Sequence, residues 1–227
     1  MNVAIVPAAG LGKRMAAEKN KLFLEVSGKS ILTITLESLS RCDIDHVILV
    51  IRPEEEIVIR EAIRFLSLSF TVDLVHGGKE RQDSVYQGLK KIPDHTKMVA
   101  IHDGARPFIR EEVFQRVLVE AKASGAAIAA VPLKDTVKET LGNPVVHRTL
   151  ERSLLWAAQT PQIFSAALIH EAYEQAQKES FFGTDDASLV ERIGKNVSLV
   201  LGDYRNIKLT TPEDLIIGEA FYKEWEE

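Results

Sequence analysis

The chain has 227 residues, with 45% hydrophobic residues, 27% charged residues and a formal net charge of -5. These values are typical of a globular protein that is long enough for one large domain and marginal for two. The acidic total argues against a nucleic-acid-binding or membrane-binding surface. We see neither an apolar run long enough to span a bilayer nor a signal peptide. The single cysteine, Cys42, fits a reducing compartment, so we expect a cytoplasmic protein.

Strand-like and helix-like patterns alternate along most of the chain. The predicted strands are residues 3–6, 47–51, 71–75, 98–101, 126–131 and 197–201. The predicted helices are residues 30–41, 54–65, 83–91, 111–123, 166–177 and 185–193, with a last helix that Thr211 and Pro212 open. This βαβ alternation predicts an α/β protein in three layers around a mostly parallel sheet.

The alternation is interrupted at residues 134–153. Two polar, strand-like stretches flank the turn Gly142-Asn143-Pro144, a composition that favours a β-hairpin. An isolated hairpin is marginal in water, so we expect a projecting β-arm that packs on a partner subunit. A disordered insertion is the alternative. We interpret residues 1–227 as one domain that carries this arm, and we expect a loop through Thr160, Pro161 and Gln162.

The first strand opens directly into a glycine-rich, basic loop. The loop reads Pro7-Ala8-Ala9-Gly10-Leu11-Gly12-Lys13-Arg14-Met15, with Lys19 and Lys21 shortly after it. Small residues let backbone N–H groups approach phosphate oxygens, which the cations then neutralise. Met15 replaces the third glycine of the dinucleotide fingerprint, which disfavours a hydride-transfer enzyme, and no P-loop motif follows. A solvated basic turn is the alternative.

Four polar clusters follow predicted strands. They are residues 10–21, 77–81, 102–106 and 206–208. Because ligands of open parallel sheets bind outside the carboxyl ends of the strands, we expect the clusters to form one site. Its cations, its glycine turns and the carboxylate of Asp103 suit a nucleoside triphosphate with a divalent metal such as Mg²⁺.

The same residue types suit nucleotidyl transfer to an acceptor that carries a phosphate. A phosphate monoester has its second pKa near about 6, so it is ionised at neutral pH and needs no general base. Catalysis then depends on positioning and on neutralising phosphate oxygens. We expect His102 to be structural, and Asp83 and Ser84 to be either helix caps or a docking edge for the ligand. Asp185 and Asp186 begin a helix, with a metal role as the alternative.

Together these motifs have the order found in a known family. They are the loop at residues 7–15, Gly77-Gly78-x-x-Arg81-x-Asp83-Ser84-Val85, His102-Asp103-Gly104-Ala105-Arg106-Pro107, Thr160-Pro161-Gln162, Thr184-Asp185-Asp186-Ala187 and Asn206-Ile207-Lys208. The chain resembles, nearly end to end, the 2-C-methyl-D-erythritol 4-phosphate cytidylyltransferase family of the non-mevalonate isoprenoid pathway. The resemblance implies a Rossmann-like nucleotidyltransferase fold, CTP and methylerythritol phosphate as substrates, Mg²⁺ as cofactor, and a homodimer that exchanges β-arms.

The resemblance also implies roles for matching residues. The nucleotide-binding residues would be Ala8, Ala9, Gly10, Leu11, Gly12, Gly78, Lys79, Ser84 and Gly104. The catalytic residues would be Arg14, Lys21, Arg152 and Lys208, with Asp103 holding Mg²⁺. Arg106, Thr136, Arg152, Thr184 and Lys208 would surround the acceptor, with Thr136 and Arg152 reaching in from the partner's arm. The segment Asn20-Lys21-Leu22 departs from the Pro-Lys-Gln that is usual in the family.

Two other functions fit parts of the pattern. A cytidylyltransferase for another polyol phosphate, such as ribitol 5-phosphate, shares the nucleotide half. The Asp135-Thr136 and Glu151-Arg152 pairs in the arm favour methylerythritol phosphate instead. A catalytically silent, nucleotide-binding regulatory domain is expected to lose Arg14, Lys21 or Asp103, and the chain has all three.

Overall fold

The computed structural model describes residues 1–10 and 21–226. Its strands are β1 (Asn2–Pro7), β2 (Glu25–Val26), β3 (Lys29–Ser30), β4 (His46–Ile51), β5 (Thr71–His76), β6 (Met98–Ile101), β7 (Ala126–Pro132), β8 (Lys138–Thr140), β9 (Val146–Thr149), β10 (Trp156–Ser165) and β11 (Ser198–Leu201). Its helices are α1 (Ile31–Leu39), α2 (Glu56–Arg64), α3 (Arg81–Leu89), α4 (Glu111–Ser124), α5 (Ala166–Glu179), α6 (Asp186–Arg192) and α7 (Pro212–Glu226). None of the helices in this described part is long and apolar enough to cross a membrane.

Seven strands form one mostly parallel sheet in the order β11-β7-β10-β6-β1-β4-β5. The pairs β1–β4, β1–β6, β4–β5 and β11–β7 are parallel, whereas β10 is antiparallel to both of its neighbours. The predicted three-layer α/β architecture is therefore confirmed.

The central strand β1 is buried on both faces. Ala4 and Val6 belong to a hydrophobic cluster that includes residues of α1 and α4. Val3 and Ile5 point the other way and belong to a second cluster with residues of α3 and α5. Successive side chains of a strand point to opposite faces, so a continuous apolar run such as this one requires helices on both sides.

The order of the strands reverses beside β1. The chain goes from β1 to β4 and β5 on one side of the sheet, and β6 then pairs with the other side of β1. Neighbouring connections therefore leave the sheet in opposite directions at the carboxyl ends of β1 and β6. In open α/β sheets this switch point opens a crevice that binds ligands.

The prediction of a loop through Thr160, Pro161 and Gln162 was wrong. These residues lie inside β10, a ten-residue strand between β6 and β7. The pairing with β7 shifts register between Ala158 and Gln162. Proline has no N–H to donate to a sheet, so it is tolerated where the ladder is interrupted. Pro161 therefore has the sequence signal of a loop although the strand continues.

Most helix ends agree with the sequence prediction. The Ser30 side chain accepts a hydrogen bond from the Thr33 N–H and caps α1, and Gly125 ends α4 with a φ of 90°. The helix predicted at residues 54–65 begins later, because the turn Pro53–Glu55 is a 3-10 helix.

The segment predicted as an arm contains the antiparallel hairpin β8–β9. Gly142 in its turn has a φ of +83°, a conformation that favours glycine. Every residue of β9 is exposed. Packing of this hairpin on a partner subunit remains a prediction.

Candidate functional site

A cavity of about 640 Å³ lies at the carboxyl ends of β1 and β6, at the switch point. Ten of the residues proposed from the sequence line it, which are Ala8, Ala9, Gly10, Lys21, Gly78, Lys79, Ser84, Asp103, Gly104 and Lys208. Seven of the ten belong to the four polar clusters of the sequence, and every cluster contributes at least one. In the part of the chain that the structure describes, the four clusters therefore lie together at one edge of the sheet, as the sequence predicts.

Other proposed residues lie elsewhere. Leu11, Gly12 and Arg14 are outside the described residues. Arg106 does not line the cavity, but its Nε is 3.8 Å from Asp103 Oδ2. Thr184 is exposed at the residue before the N-cap of α6.

The carboxylate of Asp103 is the centre of the charge arrangement. It is only 7% exposed and follows β6 by two residues. Arg81 Nε donates to its Oδ1 at 2.9 Å, and Lys208 Nζ is 2.7 Å from its Oδ2. Burial alone raises the pKa of such a carboxyl, but the attraction of Arg81 and Lys208 outweighs it and holds the pKa well below its ordinary value. Asp103 is therefore an anion at every physiological pH.

Backbone contacts bring Lys208 to Asp103. The Leu209 N–H donates to the Ala105 carbonyl at 2.8 Å, and Arg106 Nη1 donates to the Asn206 carbonyl at 2.6 Å. These bonds join the turn before α7 to the segment after β6. Lys21 Nζ donates to the Leu209 carbonyl at 3.2 Å. Two of the proposed catalytic lysines are thus held by the same turn.

His102 helps to hold the backbone of Asp103 through Thr160, and it does not line the cavity. The Asp103 N–H donates to Thr160 Oγ1 at 3.1 Å, and that hydroxyl is 3.1 Å from His102 Nδ1. His102 Nε2 is 3.0 Å from the Arg106 carbonyl, which can only accept, so the ring N–H is on Nε2. Burial lowers the pKa of His102 to about 4. The side chain is a neutral connector, as the structural interpretation of the sequence expected.

The start of α3 and the turn before it also border the cavity. The Gly78 N–H donates to Ser84 Oγ at 3.2 Å, and a Cβ on Gly78 would be 2.3 Å from the Cβ of Asp83. The turn can therefore lie this close to the helix only with glycine. Asp83 accepts from the Glu80 N–H and completes a capping box, so its capping role is observed. Ser84, in contrast, also lines the cavity.

Thr136 and Arg152 lie away from Asp103. They line a separate groove of about 540 Å³ at the base of the β-arm, together with Thr149 and Trp156. Arg152 Nη1 donates to the Lys134 carbonyl at 2.6 Å. One chain therefore does not bring these two residues into the cavity.

Several residues of the site had no individual role in the sequence prediction, although Glu80 and Arg81 belong to the predicted cluster at residues 77–81. Arg52, Glu54, Glu80 and Arg81 line the cavity as well. Arg81 also contacts Asp186, which the sequence marked only as part of an acidic pair at a helix start and of the motif at residues 184–187. The hypothesis of a metal site at that acidic pair finds no support, because Asp185 caps α6 and Asp186 pairs with Arg81.

The donor set limits how a metal can bind. No group of three or more His, Cys, Asp or Glu side chains within residues 1–10 and 21–226 is placed to hold a metal ion. Mg²⁺, however, is commonly held by one or two carboxylates together with phosphate oxygens and water. The enclosed, ionised carboxylate of Asp103 fits this second mode.

Comparisons with known proteins point to one family over nearly the whole chain. The family model for "IspD: 2-C-methyl-D-erythritol 4-phosphate cytidylyltransferase" matches residues 2–224. A 2-C-methyl-D-erythritol 4-phosphate cytidylyltransferase of Bacillus cytotoxicus is 48% identical over 222 residues, which are 97% of each chain. The crystal structure of a 4-diphosphocytidyl-2C-methyl-D-erythritol synthase from Anaerococcus prevotii superposes with a TM-score of 0.87 at 36% identity, covering 98% of this chain and 96% of that one. A Thermus thermophilus cytidylyltransferase gives 0.80 at 32% identity, covering 98% and 100%.

We predict that His102 stays neutral, with the proton on Nε2, until the pH falls to about 4. The unfolded chain takes up this proton near pH 6.5, so the wild-type free energy of unfolding should fall by up to about 3 kcal/mol between those pH values. His102→Gln should lack this part of the pH dependence. Nitrogen NMR of labelled histidine and urea unfolding at several pH values check the prediction. A titration midpoint near 6.5 for His102 would contradict it.

Proposed function

The chain belongs to the 2-C-methyl-D-erythritol 4-phosphate cytidylyltransferase family and is a CTP-dependent cytidylyltransferase of isoprenoid biosynthesis; we propose that the cavity beside Asp103 is where it acts. The cytidylyl group of CTP passes to the phosphate of 2-C-methyl-D-erythritol 4-phosphate, and pyrophosphate leaves. The observation that carries the proposal is the meeting of Lys21, Lys208 and Asp103 in one cavity at the switch point.

The nucleotide half of the proposal uses the loop after β1 and the start of α3. The backbone of residues 8–12 would wrap the triphosphate, with Gly78 and Ser84 at the cytosine and Gly104 at the ribose. Lys79, which also lines the cavity, supplies a further cation. Backbone N–H groups and glycine turns at the start of a helix are suited to anionic ligands.

The chemical step requires charge neutralisation rather than proton transfer. An oxygen of the acceptor phosphate forms a bond to the α-phosphorus, and the bond from that phosphorus to the bridging oxygen of pyrophosphate breaks. In this proposal Lys21 and Lys208 stabilise the negative charge that spreads over the phosphate oxygens. We assign Arg14 the same role from the sequence, although it lies outside the described residues.

Asp103 is the proposed ligand for Mg²⁺. When bound, the ion would neutralise phosphate oxygens of the nucleotide. Lys208 Nζ now contacts one Asp103 oxygen, at 2.7 Å. We propose that Lys208 leaves this oxygen when the substrates bind and pairs with the acceptor phosphate, which is a stronger partner because it carries more charge.

The acceptor half includes a contribution from a second subunit. Arg106 and Thr184 belong to the same chain, whereas Thr136 and Arg152 lie at the base of the β-arm. Apolar side chains are exposed in and beside this arm, which are Leu141, Val145, Val146 and Leu154. Exposed apolar groups on a hairpin that is marginal alone support a partner interface. We therefore propose a homodimer in which the exchanged arms complete each site.

We propose the same domain organisation and compartment that the sequence predicts. Residues 1–227 form one catalytic domain, with the arm at residues 134–153 used for dimerisation. The compartment is the cytoplasm. The cysteine content supports this compartment, because the chain has a single cysteine, Cys42, and so cannot form an internal disulfide.

We predict that the protein releases pyrophosphate from CTP and methylerythritol phosphate. With ribitol 5-phosphate as the acceptor, kcat/KM should be at least about a hundredfold lower, since misplaced hydroxyl groups leave polar groups of the site unpaired. Replacing CTP with UTP or ATP in the same pyrophosphate-release assay tests which nucleotide base the site accepts. Equal or faster turnover of ribitol 5-phosphate would instead favour the alternative acceptor.

We predict that mixing two inactive variants restores activity. In a dimer of Lys21→Ala and Arg152→Ala chains, one site keeps Lys21 and receives an intact Arg152 from the other chain. Random exchange should restore about one quarter of wild-type activity, because half of the dimers are mixed and each has one intact site.

The control for this mixing experiment is Lys122→Ala, which removes an exposed lysine remote from the cavity and should leave activity unchanged. Subunit exchange is measured independently with two affinity tags. Exchange without any recovery of pyrophosphate release would contradict the shared site.

A further inference from the structure

Arg81 bridges two acidic residues from different parts of the fold. It is the first residue of α3, directly after the glycine turn of the nucleotide side. Its Nε donates to Asp103 Oδ1 at 2.9 Å, and its Nη2 donates to Asp186 Oδ2 at 2.7 Å. A guanidinium can hold two carboxylates at once because its donors form a rigid fork, which a lysine ammonium does not have.

Asp186 is fully buried, with 0% exposure, and is not among the residues that line the cavity. Its Oδ1 accepts a hydrogen bond from the Tyr173 hydroxyl at 2.5 Å, and the Tyr173 ring stacks on Tyr86. A buried carboxylate needs a cation, since an unpaired one is strongly destabilising. Asp186 therefore anchors one end of Arg81 and is enclosed away from substrate.

The next residue of α3, Gln82, forms hydrogen bonds to the segment that leads to Asp186. Gln82 Nε2 donates to the Phe181 carbonyl at 2.9 Å, and Gln82 Oε1 accepts from the Gly183 N–H at 2.9 Å. Together Arg81 and Gln82 attach residues 181–186 to the first turn of α3. Thr184, an acceptor-binding residue in the proposed function, lies within this attached segment.

We propose that Arg81 is a positioning residue that links the acceptor segment, residues 181–186, to Asp103 and the nucleotide side of the cavity. This inference rests on the proposed function, because it assigns Thr184 to the acceptor. Through the Arg81–Asp186 contact, the acceptor segment is held in register with the carboxylate beside which the phosphates react. Loosening the contact displaces Thr184 and leaves Gly78 and Ser84 in place.

The test compares Asp186→Asn, Arg81→Lys and the double variant. Asp186→Asn keeps the shape of the side chain, and we expect it to raise the KM for methylerythritol phosphate about tenfold while the KM for CTP changes less than about twofold. Arg81→Lys should raise the acceptor KM similarly and also lower kcat, since Asp103 loses a donor. The double variant should have the same acceptor KM and kcat as Arg81→Lys alone, because both substitutions break the same Arg81–Asp186 contact.

Tyr173→Phe is the matched control. It removes the other hydrogen bond to Asp186 and leaves the Arg81 contact, so it should lower Tm while both KM values stay within about twofold of wild type. A lower Tm with unchanged KM values in Asp186→Asn would overturn the inference and leave Arg81 with a structural role only. If Asp186→Asn does not fold, Arg81→Lys with an unchanged acceptor KM overturns it equally. An inactive wild-type protein would refute the proposed function instead.

Discussion

The site depends on one buried anion, the carboxylate of Asp103, and on the cations that surround it. Arg81, Arg106 and Lys208 reach this carboxylate from α3, from the segment after β6 and from the turn before α7. Three parts of the chain that are far apart in sequence are thus fixed around one charge. Removing that charge would leave several basic groups crowded together, so the anion organises the same cations that a triphosphate needs.

This arrangement prepares the site for charge before the substrate arrives. Preorganised cations stabilise developing charge without reorganisation during the reaction, and in many enzymes this stabilisation lowers the barrier more than any other effect. The sheet supplies the rigidity, because β1 and β6 are buried on both faces and end at the switch point. His102 and Thr160 then fix the backbone of Asp103 from beneath. The carboxylate is held by its backbone on one side and by cations on the other.

Much of this was predictable from the sequence, because apolar runs such as that of β4 require burial and polar clusters after strands must meet at one edge. The failures have identifiable physical causes. Pro161 has the signal of a loop, and the register shift in β10 makes it compatible with a strand. The pairing of Arg81 with Asp186 joins residues 105 positions apart, so no local pattern reveals it. Thr136 and Arg152 are a different case: the family resemblance assigns them to the partner's site, so their position outside the cavity of their own chain leaves that prediction open.

The most direct test of the account is a crystal structure of the protein with Mg²⁺ and a CTP analogue that cannot be cleaved between the α- and β-phosphates. The account predicts that the triphosphate lies between Lys21 and Lys208, that the metal contacts Asp103, and that cytosine lies against Gly78 and Ser84. A nucleotide bound in the groove at the base of the β-arm, or with its phosphates away from Asp103, would contradict it.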